Sequence, residues 1–356
     1  MKKKKLKSKD QNQIKKNQFN LFLFIDKNAK IIFWIIFIYG ILIRLFYFYS
    51  VANSPEANIL LEHTDSFTYH NIALKIIEGD WSGGQKIFYY NPGYAYFLAF
   101  IYSIFGVNYN YVRLIQILLN IFTIPCGYLI SYKITGNRFI SLFTALIISS
   151  YGPLIYHTNM ILIVGILPSL ILYLFYLFLN LYKSHSPFYY AGIGLLSSII
   201  ILLRPNFILI VAIFIFFIYY FHNKNKWLIY SLIYLFFLFL LILPFTIHNY
   251  KNTKEFILIS ANAGINFFIG NNIEADGVYS RPNILIKYSE ELEKLKITSP
   301  TAQSNYWFKK TFEYIKKNPF HFLKLQIKKF LLFWWGKEIA SNDDYREVYR
   351  HGIPFS

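Results

Sequence analysis

The sequence predicts an all-α integral membrane protein, a multi-span helical bundle with short helices in its outer loops. Two observations carry this. The 356 residues are 55% hydrophobic and 21% aromatic but only 15% charged, against about 25% charged in an ordinary globular chain. The apolar residues also come in long runs. A helix needs roughly 20 of them to cross about 30 Å of hydrocarbon. Candidate runs fall at 31–50, 111–132, 139–156, 159–182, 188–203, 205–222 and 227–248. The single cysteine, Cys126, excludes a disulfide framework.

The chain opens on a basic tail. Residues 1–30 hold ten lysines and two aspartates. A lysine cluster just before an apolar run is attracted to anionic lipid head groups, so it reads as a cytoplasmic tail bound to lipid rather than as a nucleic-acid arm. The run that follows is too long for a signal peptide and lacks a small-residue cleavage site. The first span, 31–50, holds Arg44 as its one charge, and 111–132 holds Arg113. The segment 92–106 is apolar, but about 15 residues rise only ~22 Å, so it reads as a short or re-entrant helix. Basic links at Lys133/Arg138, Lys183 and Lys224/Lys226 belong inside with the N-terminus. Seven spans satisfy that orientation, and an eighth at 92–106 would invert it. Residues 31–248 then form the bundle, with an outer loop at 51–91. Residues 249–356 form a second outer loop and a C-terminal region. Within that region, 319–336 is aromatic but interrupted by Lys324, Lys328 and Lys329, which suits an interfacial helix better than a span.

The acids are more informative than the bases. Between residues 31 and 279 the carboxylates are Glu56, Glu62, Asp65, Glu78, Asp80, Glu255, Glu274 and Asp276, all in the two outer loops. No span carries one, which argues against an ion-coupled transporter and places any acid/base chemistry on the outer face. In the first loop, Tyr69, Ile72, Ala73, Ile76 and Ile77 make one helical stripe, with Asp65 at the start of the helix and Gly79 as a C-terminal cap. Asp65 is either the N-cap of that helix or a carboxylate base near the membrane surface. A metal reading of His63, Asp65 and His70 has only generic spacing. Arg113 and Arg204 sit near the outer ends of spans, where a guanidinium either snorkels or pairs with a lipid phosphate. Tyr69 and Tyr90 are candidate substrate contacts beside an interface-anchoring role. Asn262, Asn266 and Asn271 crowd the second loop and suit hydrogen bonding to a hydroxyl-rich ligand. No phosphate loop, hydrolase elbow or zinc-protease motif is present in the sequence.

An ordered set of stretches resembles the GT-C superfamily of polytopic glycosyltransferases. The branch is that of bacterial relatives of protein O-mannosyltransferases and of the lipid A aminoarabinose transferase. The set begins with Asp65, Tyr69 and Ala73, then Gly79-Asp80-Trp81 and Asn91-Pro92-Gly93-Tyr94. It continues with Phe105-Gly106, Arg113-Leu114-Ile115-Gln116, Leu203-Arg204-Pro205-Asn206, Leu243-Pro244-Phe245 and Asn262 to Asn272. The resemblance implies inverting transfer of a hexose or pentose from a polyprenyl-phosphate-linked donor to an exoplasmic acceptor, in a bacterial inner membrane. It implies Asp65 as base with Glu62 in reserve, and Arg113, Arg204 and His248 on the lipid phosphate. No cofactor is expected, and a divalent metal stays open. The chain departs from the pattern at Phe245 and His248, where the family often has Trp and Arg. It also lacks a glutamate in Asn159 to Gly165. Relatives continue with further spans, so the chain reads as a shortened or split member. The alternatives are a non-catalytic membrane scaffold or partner subunit and, behind it, a lipid flippase.

Overall fold

The computed structural model describes residues 2–62, 64–223, 225–278 and 283–335, with side chains described from Leu23 onward except at Glu56. His63, Lys224, Gly336 and the side chains of the lysine tail therefore lie outside the described residues. Among the described residues every regular element is helical. In chain order these are α1 (Lys2–Ala52), α2 (Asp65–Ile77), α3 (Pro92–Phe105), α4 (Tyr109–Ile121), α5 (Thr123–Thr135), α6 (Arg138–Ser150), α7 (Gly152–His157) and α8 (Leu167–Phe178). They continue as α9 (Pro187–Leu203), α10 (Leu209–Phe221), α11 (Lys226–Thr253), α12 (Ala263–Gly270), α13 (Asn283–Lys294), α14 (Pro300–Lys317) and α15 (Pro319–Trp334).

Three stretches among the described residues are long and apolar enough to cross a membrane: Leu23–Ala52, Tyr109–Thr135 and Lys226–Thr253. The other expected runs are shorter or broken, and prolines account for much of this. The run 139–156 divides at Tyr151, whose extended backbone precedes a new helix with Pro153 in its first turn. The run 159–182 becomes a turn, a 3-10 helix at Ile163–Gly165 and α8, with Pro168 near its start. Helix α9 ends at Arg204, held extended (φ −144°, ψ 97°) ahead of Pro205. The segment 92–106 is helical as α3; its 14 residues span about 21 Å. The backbone of the basic tail runs into the first apolar stretch as one helix, α1.

The chain divides into two compact units that interleave in sequence. The first holds the residues up to Ile59 together with Asn108–His185. Here α1 and α5 both pack on α6 around Ala29, Ile36, Ile124, Leu142 and Ala145. Arg44 is fully buried among them. Its Nε donates to Asn120 Oδ1 at 2.7 Å, Nη1 to the carbonyls of Gly40 (2.9 Å) and Ser149 (3.0 Å), and Nη2 to that of Ile148 (3.0 Å). The carbonyls of Ile148 and Ser149 belong to the last turn of α6, where intrahelical donors run out and the helix dipole is negative. A buried cation is costly without such partners; with them it ties α1, α4 and α6 together. Gln116 on α4 is also fully buried and donates to the carbonyls of Thr158 (2.9 Å) and Met160 (2.8 Å). This holds the turn that interrupts the expected fourth run.

The second unit holds Leu60–Val107 and the described residues from Ser186 on. Its longest contact runs between α9 and α11. Gly194 permits that approach: a Cβ there would lie 2.5 Å from the Tyr234 carbonyl oxygen and 3.2 Å from the Leu238 nitrogen, both backbone atoms of α11. Helix α2 packs on α3. Beyond α11, the helices α12, α13 and α14 close around Phe268, Leu292, Tyr306 and Trp307. Lys310 bridges Glu291 at 2.8 Å and sits 4.4 Å over the Tyr288 ring.

Gly194→Val should lower the thermal midpoint of the purified chain in detergent, by overpacking worth about 1–3 kcal/mol. Gly192→Ala, where nothing lies within 4 Å of the added Cβ, should leave the midpoint unchanged or raise it slightly, since alanine favours helix.

Candidate functional site

The site begins at the start of α2. Thr64, with extended backbone, is the N-cap, and its hydroxyl accepts from the Phe67 N–H at 3.3 Å. Asp65 is therefore not the cap but the first helical residue, and it is exposed. There its charge opposes the positive end of the helix dipole. Tyr69, Ile72 and Ala73 are buried as the stripe predicts, Ile76 is half-buried and Ile77 is exposed. The helix closes at Gly79 with the Gly79 N–H on the Ile76 carbonyl (3.1 Å) and the Asp80 N–H on that of Lys75 (3.0 Å), a Schellman cap. Asp80 then folds the next turn by accepting from the Ser82 hydroxyl and N–H and the Gly84 N–H. The Ser82 hydroxyl foremost holds the Asp80 carboxyl below its ordinary range.

The two acid-bearing loops, 51–91 and 249–279, are joined within the second unit by amide side chains. Asn249, near the end of α11, is fully buried. Its Oδ1 accepts from the Phe88 N–H at 3.0 Å, and its Nδ2 donates to the carbonyls of Ile257 (3.1 Å) and Ile259 (3.0 Å). The Ala261 N–H reaches the Phe88 carbonyl at 3.0 Å. Asn91 makes the third tie. It precedes α3 without capping it; instead its Nδ2 donates to the Leu203 carbonyl (3.2 Å) and its Oδ1 accepts from the Ser260 hydroxyl (2.7 Å). Gly93 follows because the chain passes so close to α9 that a Cβ would lie 2.8 Å from backbone atoms of Leu202 and Leu203. These contacts fix the residue before Arg204 against the start of α3.

Tyr69 is the centre of the charged group. Its ring is buried against Tyr94 (centroids 5.5 Å apart) and Tyr90 (6.3 Å). Burial pushes its hydroxyl well above the ordinary tyrosine range; Asp65 pushes the same way, Arg204 opposes, and Tyr90 adds a smaller upward push. Asp65, Tyr90 and Arg204 thus lie within electrostatic reach of the Tyr69 hydroxyl. Arg204 is exposed; its backbone N–H donates to the Ile200 carbonyl at 2.8 Å, and among the described residues its guanidinium makes no hydrogen bond or ion pair. A carboxylate that can accept a proton and a guanidinium that can grip a phosphate thus both act on the buried Tyr69 hydroxyl.

The other residues singled out in the sequence divide. Glu62 is exposed, three residues before Asp65. His248 packs edge-on to Trp81 (4.9 Å) and against Phe88 (5.2 Å), and its Nε2 lies 3.0 Å from the Gln85 carbonyl. A carbonyl only accepts, so that contact is made by the tautomer protonated on Nε2; the Asn252 amide nitrogen, 3.3 Å from the same atom, suits the other tautomer. Asn262 begins α12, with its Oδ1 3.4 Å from the Ser260 hydroxyl, and Asn266 is exposed one turn on. Asn271 stands at the far end of α12, about 12 Å along the helix. Its Nδ2 donates to the Phe267 carbonyl, and its Oδ1 accepts from Gln326 (3.1 Å) and Lys329 (3.0 Å). The asparagine-rich loop is thus two groups with different surroundings. Arg113 belongs to the first unit. It is buried, and its guanidinium donates to the carbonyls of Asn159 (3.0 Å) and Ala57 (2.7 Å) and to Asn110 Oδ1 (2.8 Å).

Sequence reasoning passed over Asn249 and Gln116 as ties; for Gln116 the available signal was an amide inside an otherwise apolar helical run. Beside Ser260 an open cleft of about 210 Å³ is lined by Phe256, Ser260, Thr301, Ser304 and Asn305, among others. Next to it Glu255 accepts from the Ser299 hydroxyl and the Thr301 N–H. The Ser299 bond foremost holds the Glu255 carboxyl below its ordinary range. Among the described residues no three His, Cys, Asp or Glu side chains are grouped to hold a metal ion; of the trio considered for one, His63 lies outside them. No protein-family model matches the chain, and no curated protein matches it.

Asn249→Leu should strand the Phe88 N–H and two carbonyls in a buried place, at about 2–4 kcal/mol. Hydrogen exchange should then rise at Phe88 and at 257–261 together while α5 and α6 keep their protection.

Proposed function

We propose that the protein is a multi-pass membrane glycosyltransferase. It moves a sugar from a polyprenyl-phosphate-linked donor to an acceptor hydroxyl on the outer face of a bacterial inner membrane. On this reading the bundle has seven or eight spans with its N-terminus in the cytoplasm, and the loops 51–91 and 249–279 lie outside. The observation that carries the reading is that Asp65 and Arg204 both act on the buried Tyr69 hydroxyl, while Asn91, itself bonded to Ser260, holds the backbone carbonyl just before Arg204. The resemblance stated from the sequence supplies the reaction class.

The chemistry then runs in one displacement. Asp65 accepts the proton of the acceptor hydroxyl as its oxygen attacks the anomeric carbon. The bond from that carbon to the phosphate oxygen breaks on the opposite face, inverting the configuration. The leaving group departs as a lipid phosphate that needs no proton, and Arg204 stabilises the charge it gains. The part-buried Tyr90 offers its ring and hydroxyl to the sugar, with Tyr69 buried behind it as its packing partner, and Asn262 and Asn266 offer amides. The His248 Nε2 is already engaged by the Gln85 carbonyl and the Asn252 amide, and the Arg113 guanidinium already serves three protein oxygens. A phosphate role for either would require surrendering those bonds, so the phosphate role rests chiefly on Arg204.

Asp65→Asn should lower transfer from a polyprenyl-phosphate sugar by roughly 10²–10⁴-fold with membrane expression intact, while Glu62→Gln keeps most activity. Near-normal transfer by Asp65→Asn would remove the base from this account.

A further inference from the structure

Helix α15 has two unlike faces. One is docked on the protein. Leu325 is buried, Gln326 donates to Asn271 Oδ1 at 3.1 Å, and Lys329 Nζ donates to the Gly270 carbonyl at 2.6 Å. Lys329 thus neutralises the carbonyl end of α12, and burial lowers its pKa from the ordinary lysine range. The opposite face carries Phe320, Leu323, Ile327, Phe330, Leu331 and Trp334, each more than half exposed. At 100° per residue these six fall within an arc of roughly 100°, with no charged residue among them. Exposed Lys324 and Lys328 follow on one edge of that arc, and exposed Lys316 and Lys317 end the preceding helix.

We infer that this face of α15 is a membrane-surface anchor that seats on anionic lipid. The helix, at 16 residues, is about 24 Å long and too short to cross about 30 Å of hydrocarbon. Its packed face carries a lysine already committed to protein oxygens. A continuous apolar arc with cations along its edge and a tryptophan near its end is the pattern of a helix lying in the head-group plane. The charge selects the lipid: Lys324 and Lys328 complement anionic head groups, as a neutral surface would not. Because its docked face grips the end of α12, α15 couples the lipid surface to the loop that begins at Asn262. The inference does not depend on the transfer reaction.

The test uses the full chain in vesicles, with Cys126 replaced by Ser and an environment-sensitive dye on a cysteine placed at Ile327, Leu331 or, as a water-facing control on α14, Glu313. Vesicles are phosphatidylcholine alone or with about one-third phosphatidylglycerol, each with and without brominated acyl chains. Expected is quenching by bromine at Ile327 and Leu331 but not Glu313, stronger in the anionic vesicles. Lys324→Gln with Lys328→Gln should lower the docked-to-free ratio by roughly fivefold per lysine in those vesicles. Absence of quenching at Ile327 and Leu331 would overturn the inference. So would energy transfer between labelled copies in place of lipid quenching, which would make this face a contact between chains. Quenching equal in both vesicle types and unmoved by the lysine variant would overturn its anionic-lipid part.

Discussion

The second unit depends on a buried amide. Asn249 has three hydrogen-bond partners on two loops that are some 160 residues apart in sequence, and no water competes for them, because its side chain is fully buried. In such a place an unmade hydrogen bond costs far more than a made one contributes, so the amide specifies one arrangement of the loops. Everything assigned to the site follows from that. Phe88 is fixed, so Asn91 meets Ser260; Asn91 also holds the Leu203 carbonyl, so Arg204 is presented from a defined backbone; and α3 supplies the tyrosine against which Tyr69 packs.

The first unit solves a similar problem with a charge. Arg44 was visible in the sequence as the one charged residue of an apolar run, but a lone arginine does not announce its acceptors. They are helix-end carbonyls and an asparagine on other elements, brought near only by folding. Arg113 was equally visible and carried a functional expectation. Its three protein oxygens give it an occupation in the structure that the pattern of span and loop could not foretell. Arg204 has the same residue type and the same placement at a span end, yet it is exposed at a proline-forced break. Burial separates the two, and burial is a tertiary property.

The helical character, the apolar runs, the helix following Asp65 and the short helix at 92–106 were legible because each rests on local composition and periodicity. Breaks inside the runs were less so. Pro153 and Pro168 are plain in the sequence, but hydrophobicity summed over a window hides them, and the turn at Thr158–Met160 is held by Gln116 from another helix. The identity of the N-cap was missed by one residue: Asp and Thr both cap well, and Thr64 takes the place, which leaves the Asp65 carboxylate facing outward. Asn271 was grouped with Asn262 by sequence proximity, whereas a helix of eight residues puts them at opposite ends.

The central claim is that Asp65 and Arg204 act on one phosphate-bearing ligand. Equilibrium binding of a polyprenyl phosphate to the purified chain tests it most directly, because it needs no acceptor and no turnover. The account predicts opposite signs for two charge-removing variants. Arg204→Gln weakens binding, since a charge-assisted contact is lost; Asp65→Asn tightens it, since a neighbouring negative charge no longer repels the phosphate. Binding unchanged in both variants, or weakened equally in both, would contradict a shared site.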